Sequence, residues 1–165
     1  IKPSDRVIGL ASSGLHSNGY SMVNYLLTRH QIFYADHPEL LTPTTIYAPV
    51  VKRLLDEGDW IYGMAHITGG GLVENLMRSI PNHLSINIDL SKIKTQKIFK
   101  WLKSKNISNL EMMKTFNCGV GFCIIVPPQN VKKIKNFFSK KYKPYKIGYI
   151  SKGKKKINLS NNLLW

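Results

Sequence analysis

Ser12, Ser13, His16, Ser17 and Asn18 fall within thirteen residues, 9–21, together with Gly9, Gly14 and Gly19. Hydroxyls, an imidazole and a carboxamide so concentrated supply far more hydrogen-bonding capacity than a link between two apolar elements needs. The stretch before them, Arg6-Val7-Ile8-Gly9-Leu10, predicts a short buried strand. Tyr20, Val23, Leu26 and Leu27 after them recur at helical spacing. The polar residues therefore sit on a strand-to-helix turn, where main-chain N–H groups and the helix dipole point at one spot. This chemistry suits an oxygen-rich, anionic group.

A second stretch, His66-Ile67-Thr68-Gly69-Gly70-Gly71, leads into a helix with Leu72, Val73, Leu76 and Ile80 on its apolar side. Thr68 is the expected N-cap. Three glycines leave backbone unshielded, so Gly69, Gly70 and Gly71 could offer N–H donors to a phosphate or carboxylate at the first helical turn. The alternative for such a run is a tight turn or a close packing contact.

These two stretches, with Leu40-Leu41-Thr42-Pro43-Thr44 and Thr115-Phe116-Asn117-Cys118-Gly119-Val120-Gly121, occur in the order seen in the C-terminal domain of the phosphoribosylformylglycinamidine cyclo-ligase (aminoimidazole ribonucleotide synthetase) family. The chain resembles that domain from about Asp5 to Ile150. The resemblance implies a mixed sheet flanked by helices in layers, an α+β or α/β fold. It implies a synthetase C-terminal domain over residues 1–151, forming the substrate-side half of an interdomain site, and a basic tail over 152–165. An N-terminal ATP-binding domain would be absent from this chain, which begins with Ile1 and not Met and so is expected to be part of something longer.

The resemblance also implies an activity: ATP-dependent cyclisation of formylglycinamidine ribonucleotide to aminoimidazole ribonucleotide, in purine biosynthesis. ATP and Mg2+ would be held mainly by the N-terminal domain, and the full-length enzyme would be a homodimer. On the matching positions, His16, titrating near neutral pH, would exchange a proton with the amidine or bind the developing phosphoryl anion. Ser12, Ser13 and Asn18 would hold the ribose phosphate or the formyl oxygen. His66 and Thr68 would line the same cleft, and Gly69, Gly70 and Gly71 would present donors to an anion. Asn75 and Asn117 are assigned to structure, Asn117 capping backbone before a Gly-x-Gly turn. Met77 stands where the family commonly has proline, which puts the aim of Arg78 in question.

Composition sets bounds. With 165 residues, 43% of them hydrophobic, the chain has room for one domain with a real core. No apolar run approaches the roughly 20 residues a membrane span needs, and no leader opens the chain, so a soluble, cytoplasmic protein is expected. Cys118 and Cys123, five apart in an apolar segment, are expected as free buried thiols.

Charge is divided unevenly. Residues 1–91 carry six Lys+Arg against eight Asp+Glu; residues 92–165 carry eighteen Lys and one acid, Glu111, so the whole is +15. A noncatalytic basic module contacting nucleic acid through Lys154-Lys155-Lys156 is the alternative this invites. Against it, the basic half contains no Arg, the residue of bidentate phosphate and guanine contacts, and the polar stretches lie in the acidic half. The other alternative is a related ATP-dependent enzyme of the same superfamily, such as formylglycinamidine ribonucleotide synthetase or a selenophosphate synthetase-like member. The string Ser-Ser-Gly-x-His-Ser-Asn-Gly argues for the cyclo-ligase. No Walker loop, Gly-x-Ser-x-Gly elbow or HExxH competes.

The remaining elements follow in order. Residues 31–42 predict a surface loop carrying His37. Thr42-Pro43-Thr44 is expected to start a helix whose apolar side is Ile46, Tyr47, Val50, Val51, Leu54 and Leu55, bent at Pro49 and ended by residues 56–59. Ser85-Ile86-Asn87-Ile88-Asp89-Leu90 alternates as a strand with one wet face. Ile93, Ile98, Trp101 and Leu102 give a helix, and Ser108 caps another. Residues 119–126 predict a strand buried on both faces, Val131 to Phe138 a helix, and 145–151 the last strand, with 152–165 a frayed tail beyond it in which Leu163, Leu164 and Trp165 are the residues able to be tacked down.

Overall fold

The computed structural model describes residues 1–58 and 60–165; Asp59, the last residue of the expected helix stop, lies outside the described residues. Among the described residues six strands form one mixed sheet: β1 (Arg6–Ala11), β2 (Gly63–His66), β3 (Leu84–Asp89), β4 (Val120–Val126), β5 (Tyr145–Lys152) and β6 (Lys156–Ser160). Their spatial order is β2-β4-β1-β5-β3-β6. All neighbours pair antiparallel except β3 with β6. The helices are α1 (Tyr20–His30), α2 (Ala48–Asp56), α3 (Gly71–Arg78), α4 (Lys97–Ser104), α5 (Asn109–Thr115) and α6 (Val131–Phe137).

The pleat explains the layering. From Phe122 onward the side chains of β4 alternate faces, so Cys123 and Ile125 join Val7 and Ile67 beneath α1, α3, α4 and α5, while Phe122, Ile124 and Val126 join Ile8 and Leu10 beneath α2 and α6; the register shift opposite Leu10 and Ala11 turns Val120 onto the first of these faces. Every residue of β4 is buried, as its unbroken apolar run requires of a strand covered on both sides. Cys118 and Cys123 are buried free thiols. The second helical layer stops short of β3 and β6, so Asn87 and Asp89 face away from the core at least half-shielded, beside an exposed Tyr149.

Three expectations are corrected. Residues 152–165 are not a frayed tail, because β6 extends the sheet, while Leu163 is tacked down as expected, buried in the large core. One residue of Ile157 and Leu159 at a time alternates with polar Asn158, a period too short to stand out among lysines. The helix expected from Thr42 begins at Ala48, which places Pro49 in its first turn, where a missing N–H costs nothing and no bend arises. Residues 42–47 are instead irregular and run beneath the polar stretch of residues 12–18. The helix expected from Ile93 starts at Lys97, after a 3-10 turn over Leu90–Lys92.

Candidate functional site

The two polar stretches meet because β1 and β2 flank the same end of β4. Phe122 pairs with Leu10 on one side and His66 on the other. Just beyond, Ser12 N–H donates to Gly119 O and Ile67 N–H donates to Gly121 O, both at 3.0 Å. Both turns therefore hang from one strand's start. Their convergence can be measured: a Cβ built on Gly69 would lie 3.6 Å from Asn18 Oδ1.

Each residue of the first turn has a distinct setting. Ser12 is buried, and Gln96 at the head of α4 donates from Nε2 to Ser12 O at 2.6 Å and to Ser12 Oγ at 3.1 Å. Ser13 and Ser17 are exposed; Ser13 Oγ donates to Pro43 O at 2.7 Å, and Ser17 Oγ lies 3.2 Å from Thr44 Oγ1. Asn18 Nδ2 donates to His16 O at 2.7 Å, which leaves its carbonyl facing the glycine turn. His16 and Ser17 hold left-handed backbone, φ 54° and 59°.

His16 departs from its expected behaviour. It is 4% exposed, and its Nε2 accepts the N–H of Ser13 at 3.0 Å and that of Thr45 at 3.4 Å. Accepting at Nε2 places the neutral ring's proton on Nδ1, which is buried with no hydrogen-bond partner. Burial, with a smaller contribution from the charge of His66, lowers the His16 pKa to about 4. The expectation of titration near neutral pH is therefore not met: the ring is neutral there and works as an acceptor that laces residues 13 and 45 together. His66 is exposed at the mouth of the site.

The glycine turn is also rearranged from expectation. The N-cap of α3 is Gly70, at φ 89°, and not Thr68. Thr68 Oγ1 instead donates to Asn75 Oδ1 at 3.4 Å, and Asn75 Nδ2 donates to Gly71 O at 2.8 Å and Gly69 O at 3.1 Å. Gly71 N–H is used by Thr68 O, so it is removed from the set of anion donors. Glycine is needed at 71 because φ is 63° and a Cβ would sit 1.9 Å from Met113 O. Glu74 folds back over Gly70 and pairs with Arg78, whose aim is thereby set along its own helix. Gly69, exposed, and Gly70 remain as the accessible backbone of the turn.

Sequence reasoning placed Tyr47 among helix-packing residues. It stands inside the site: its ring centroid is 6.0 Å from those of both His16 and His66, and its hydroxyl donates to Ala11 O at 2.6 Å. Burial pushes its pKa well up, so the hydroxyl stays protonated. Gln96 was equally invisible, lying 84 residues from its partner Ser12. Asn117 does what its sequence context suggested and more: Gly119 N–H donates to its Oδ1 at 2.9 Å while its Nδ2 donates to Gly14 O at 2.8 Å. Beside His66 an apolar groove of about 530 Å³ opens between Tyr47, Val51, Leu55, Met64 and Phe122.

Among the described residues no group of three or more His, Cys, Asp or Glu side chains is placed to hold a metal ion. Both turns are built from hydroxyls, amides and imidazoles, and Glu74 is engaged by Arg78. Such donors do not fit a resident Mg2+, a hard cation that takes carboxylate oxygens. They fit the hydrogen-bonding of a neutral or anionic ligand. No helix among the described residues is long and apolar enough to cross a membrane.

Residues 2–159 match the family described as AIR synthase related protein, C-terminal domain. Phosphoribosylformylglycinamidine cyclo-ligase of Synechococcus sp. (strain CC9605) is 44% identical over 140 residues, 79% of this chain and 41% of that protein. The trifunctional purine biosynthetic protein adenosine-3 of Chironomus tentans is 44% identical over 144 residues, 80% of this chain and 10% of that protein. The chain thus spans about two fifths of the cyclo-ligases it matches. Among solved structures, the hydrogenase maturation protein HypE of E. coli superposes with a TM-score of 0.66 at 15% identity, covering 98% of this chain and 47% of that one. Thiamine monophosphate kinase of Aquifex aeolicus gives 0.61 at 13%, covering 99% and 52%. These two share the fold.

Proposed function

The chain belongs to the AIR synthase related family, by its C-terminal domain, and from that premise we propose that it forms the substrate-side wall of an ATP-dependent cyclo-ligase acting on formylglycinamidine ribonucleotide. The observation that carries this reading is the convergence of two polar turns, 50 residues apart in sequence, at the start of β4, with Asn18 Oδ1 beside Gly69. In the reaction the formyl amide oxygen takes the γ-phosphoryl group of ATP. The amidine nitrogen then attacks the formyl carbon, the C–O bond breaks, phosphate leaves, and one proton is lost as the imidazole ring forms.

Ring closure of this kind depends on alignment and charge neutralisation more than on covalent help from the protein. Ser13 Oγ, whose proton goes to Pro43 O, and Asn18 Oδ1 offer acceptors to the substrate's hydroxyl and N–H groups, and Ser17 offers a hydroxyl to its oxygens. Gly69 and Gly70 offer backbone, reached once Glu74 swings aside. His66, exposed at the mouth, is the group able to receive the proton. Ser12 and Thr68, engaged by Gln96 and Asn75, and Gly71, engaged by Thr68, shape the two turns. His16 acts as a neutral clasp between the first turn and residue 45. ATP and Mg2+ are assigned to an N-terminal domain, and the full-length protein is assigned to the cytoplasm as a homodimer.

The test is calorimetry of the full-length protein with formylglycinamidine ribonucleotide, beside an ADP-release assay and a random oligonucleotide at two salt concentrations. Substrate heat and ADP release, both lost in Asn18→Leu, are expected. Salt-dependent oligonucleotide binding without substrate heat would overturn the proposal in favour of a basic binding module.

A further inference from the structure

Tyr47 occupies a position that neither turn explains. It precedes α2, yet it is 4% exposed and lies where residues 12–18, the end of β2 and the start of β4 come together. Its ring packs beside four others: His16 and His66 at 6.0 Å each, Tyr142 at 5.9 Å and Phe122 at 5.3 Å. Its hydroxyl reaches Ala11 O, the last carbonyl of β1 before the Ser12–Asn18 turn. The opposite wall is shaped to admit it. A Cβ on Gly121 would fall 2.2 Å from Tyr47 Oη and 2.5 Å from His16 Cε1, so glycine at 121 is what lets ring, hydroxyl and imidazole share the space.

We propose that Tyr47 is a positioning residue of this site: its ring is the wedge that fixes His16 against His66, and its hydroxyl pins the point where β1 turns into the ligand-facing loop. The role rests on the proposed function for its chemistry, though not for its geometry. A flat, rigid ring between two imidazoles sets their separation in a way a flexible aliphatic side chain cannot. Tyr47 is buried beneath the residues assigned to the ligand. It acts through the turn that carries them.

Two variants of the full-length protein separate positioning from packing. Tyr47→Leu keeps an apolar side chain but removes the flat ring and the hydroxyl; Tyr47→Phe keeps the ring. Each is read by kcat and KM for ring closure and by NMR titration of His16, whose titratable neighbours are Tyr47 and His66. With Leu, kcat falls about tenfold or more as the turn shifts by a fraction of an ångström, KM changes less, and the His16 titration moves up from about 4. Phe recovers kcat to within about threefold of wild type and returns His16 to its low titration. A folded Tyr47→Leu protein with wild-type kcat and an unmoved His16 titration overturns the proposal, as does a loss confined to melting temperature. If the wild-type protein shows no ring closure at all, the proposed function fails. The His16 titration still decides whether Tyr47 holds the two turns.

Discussion

The backbone N–H of Ser13 donates to Nε2 of His16 at 3.0 Å, a contact that only the unprotonated ring nitrogen can make. Protonating Nε2 would set two donors face to face in a buried space and break the lacing of residues 13 and 45. The folded chain therefore resists charging this ring, and stability is linked to pH through it.

The sign follows from the direction of the shift. His16 falls from 6.5 in the unfolded chain to about 4 in the folded one. Between those values the unfolded chain binds the extra proton. Stability is accordingly full above about pH 6.5 and is lost as pH falls toward 4, by an amount on the order of 3 kcal/mol. Urea titrations from pH 7 to pH 4.5 should show this slope, and His16→Gln, neutral throughout, should lower stability at pH 7 yet flatten it. An equally steep slope in the variant would assign it to other groups.

Asn117 ties β4 to the first turn across 103 residues, donating to Gly14 O and accepting from Gly119 N–H while 2% exposed. Asn117→Asp keeps the acceptor and loses the donor, leaving Gly14 O opposed by a carboxylate. A loss of about 1–3 kcal/mol at pH 7 is expected. Protonation restores an O–H donor, so the gap between Asn117→Asp and Asn117→Ala should widen in favour of Asp as pH falls through its raised carboxyl pKa. Chemical denaturation at pH 7 and pH 5 checks this; a constant gap would mean that the bond to Gly14 carries no weight.

The elements legible in the sequence were those whose periodicity was long or pure. Tyr20, Val23, Leu26 and Leu27 locate α1, and the unbroken run of β4 announces a strand covered on both faces. The two polar turns were legible as chemistry because their residues are contiguous. Their supports were not, since Gln96, Tyr47 and the bond from Asn117 to Gly14, unlike the local cap that Asn117 makes on Gly119, reach the site through tertiary contacts that leave no local pattern. His16 was misread for the same reason: its low pKa comes from burial, which the sequence of an apparently polar loop conceals. Thr68 looked like a cap because the left-handed turn at Gly70 moves the helix start two residues on.

The C-terminal lysines hide a strand, and this has a mechanical consequence. β6 completes the sheet by pairing in parallel with β3, Ser85 Oγ donates to Lys154 O at 2.7 Å, and Trp165 Nε1 donates to Asn109 Oδ1 at 3.0 Å. Leu163 closes the large core beside Leu72, Leu90, Ile93 and Phe116. Ending the chain at Lys152 would therefore bare the N–H and C=O row of β3 and open that core, a combination that favours edge-to-edge association. The truncated protein should aggregate or unfold under conditions where the intact chain is monodisperse by light scattering. Leu163→Ala isolates the packing contribution and should cost about 2–3 kcal/mol in urea denaturation while β6 stays paired. A truncated chain with the melting temperature of the intact one would show that the strand adds nothing to the fold, and the lysines would then be free to serve as a solvated arm.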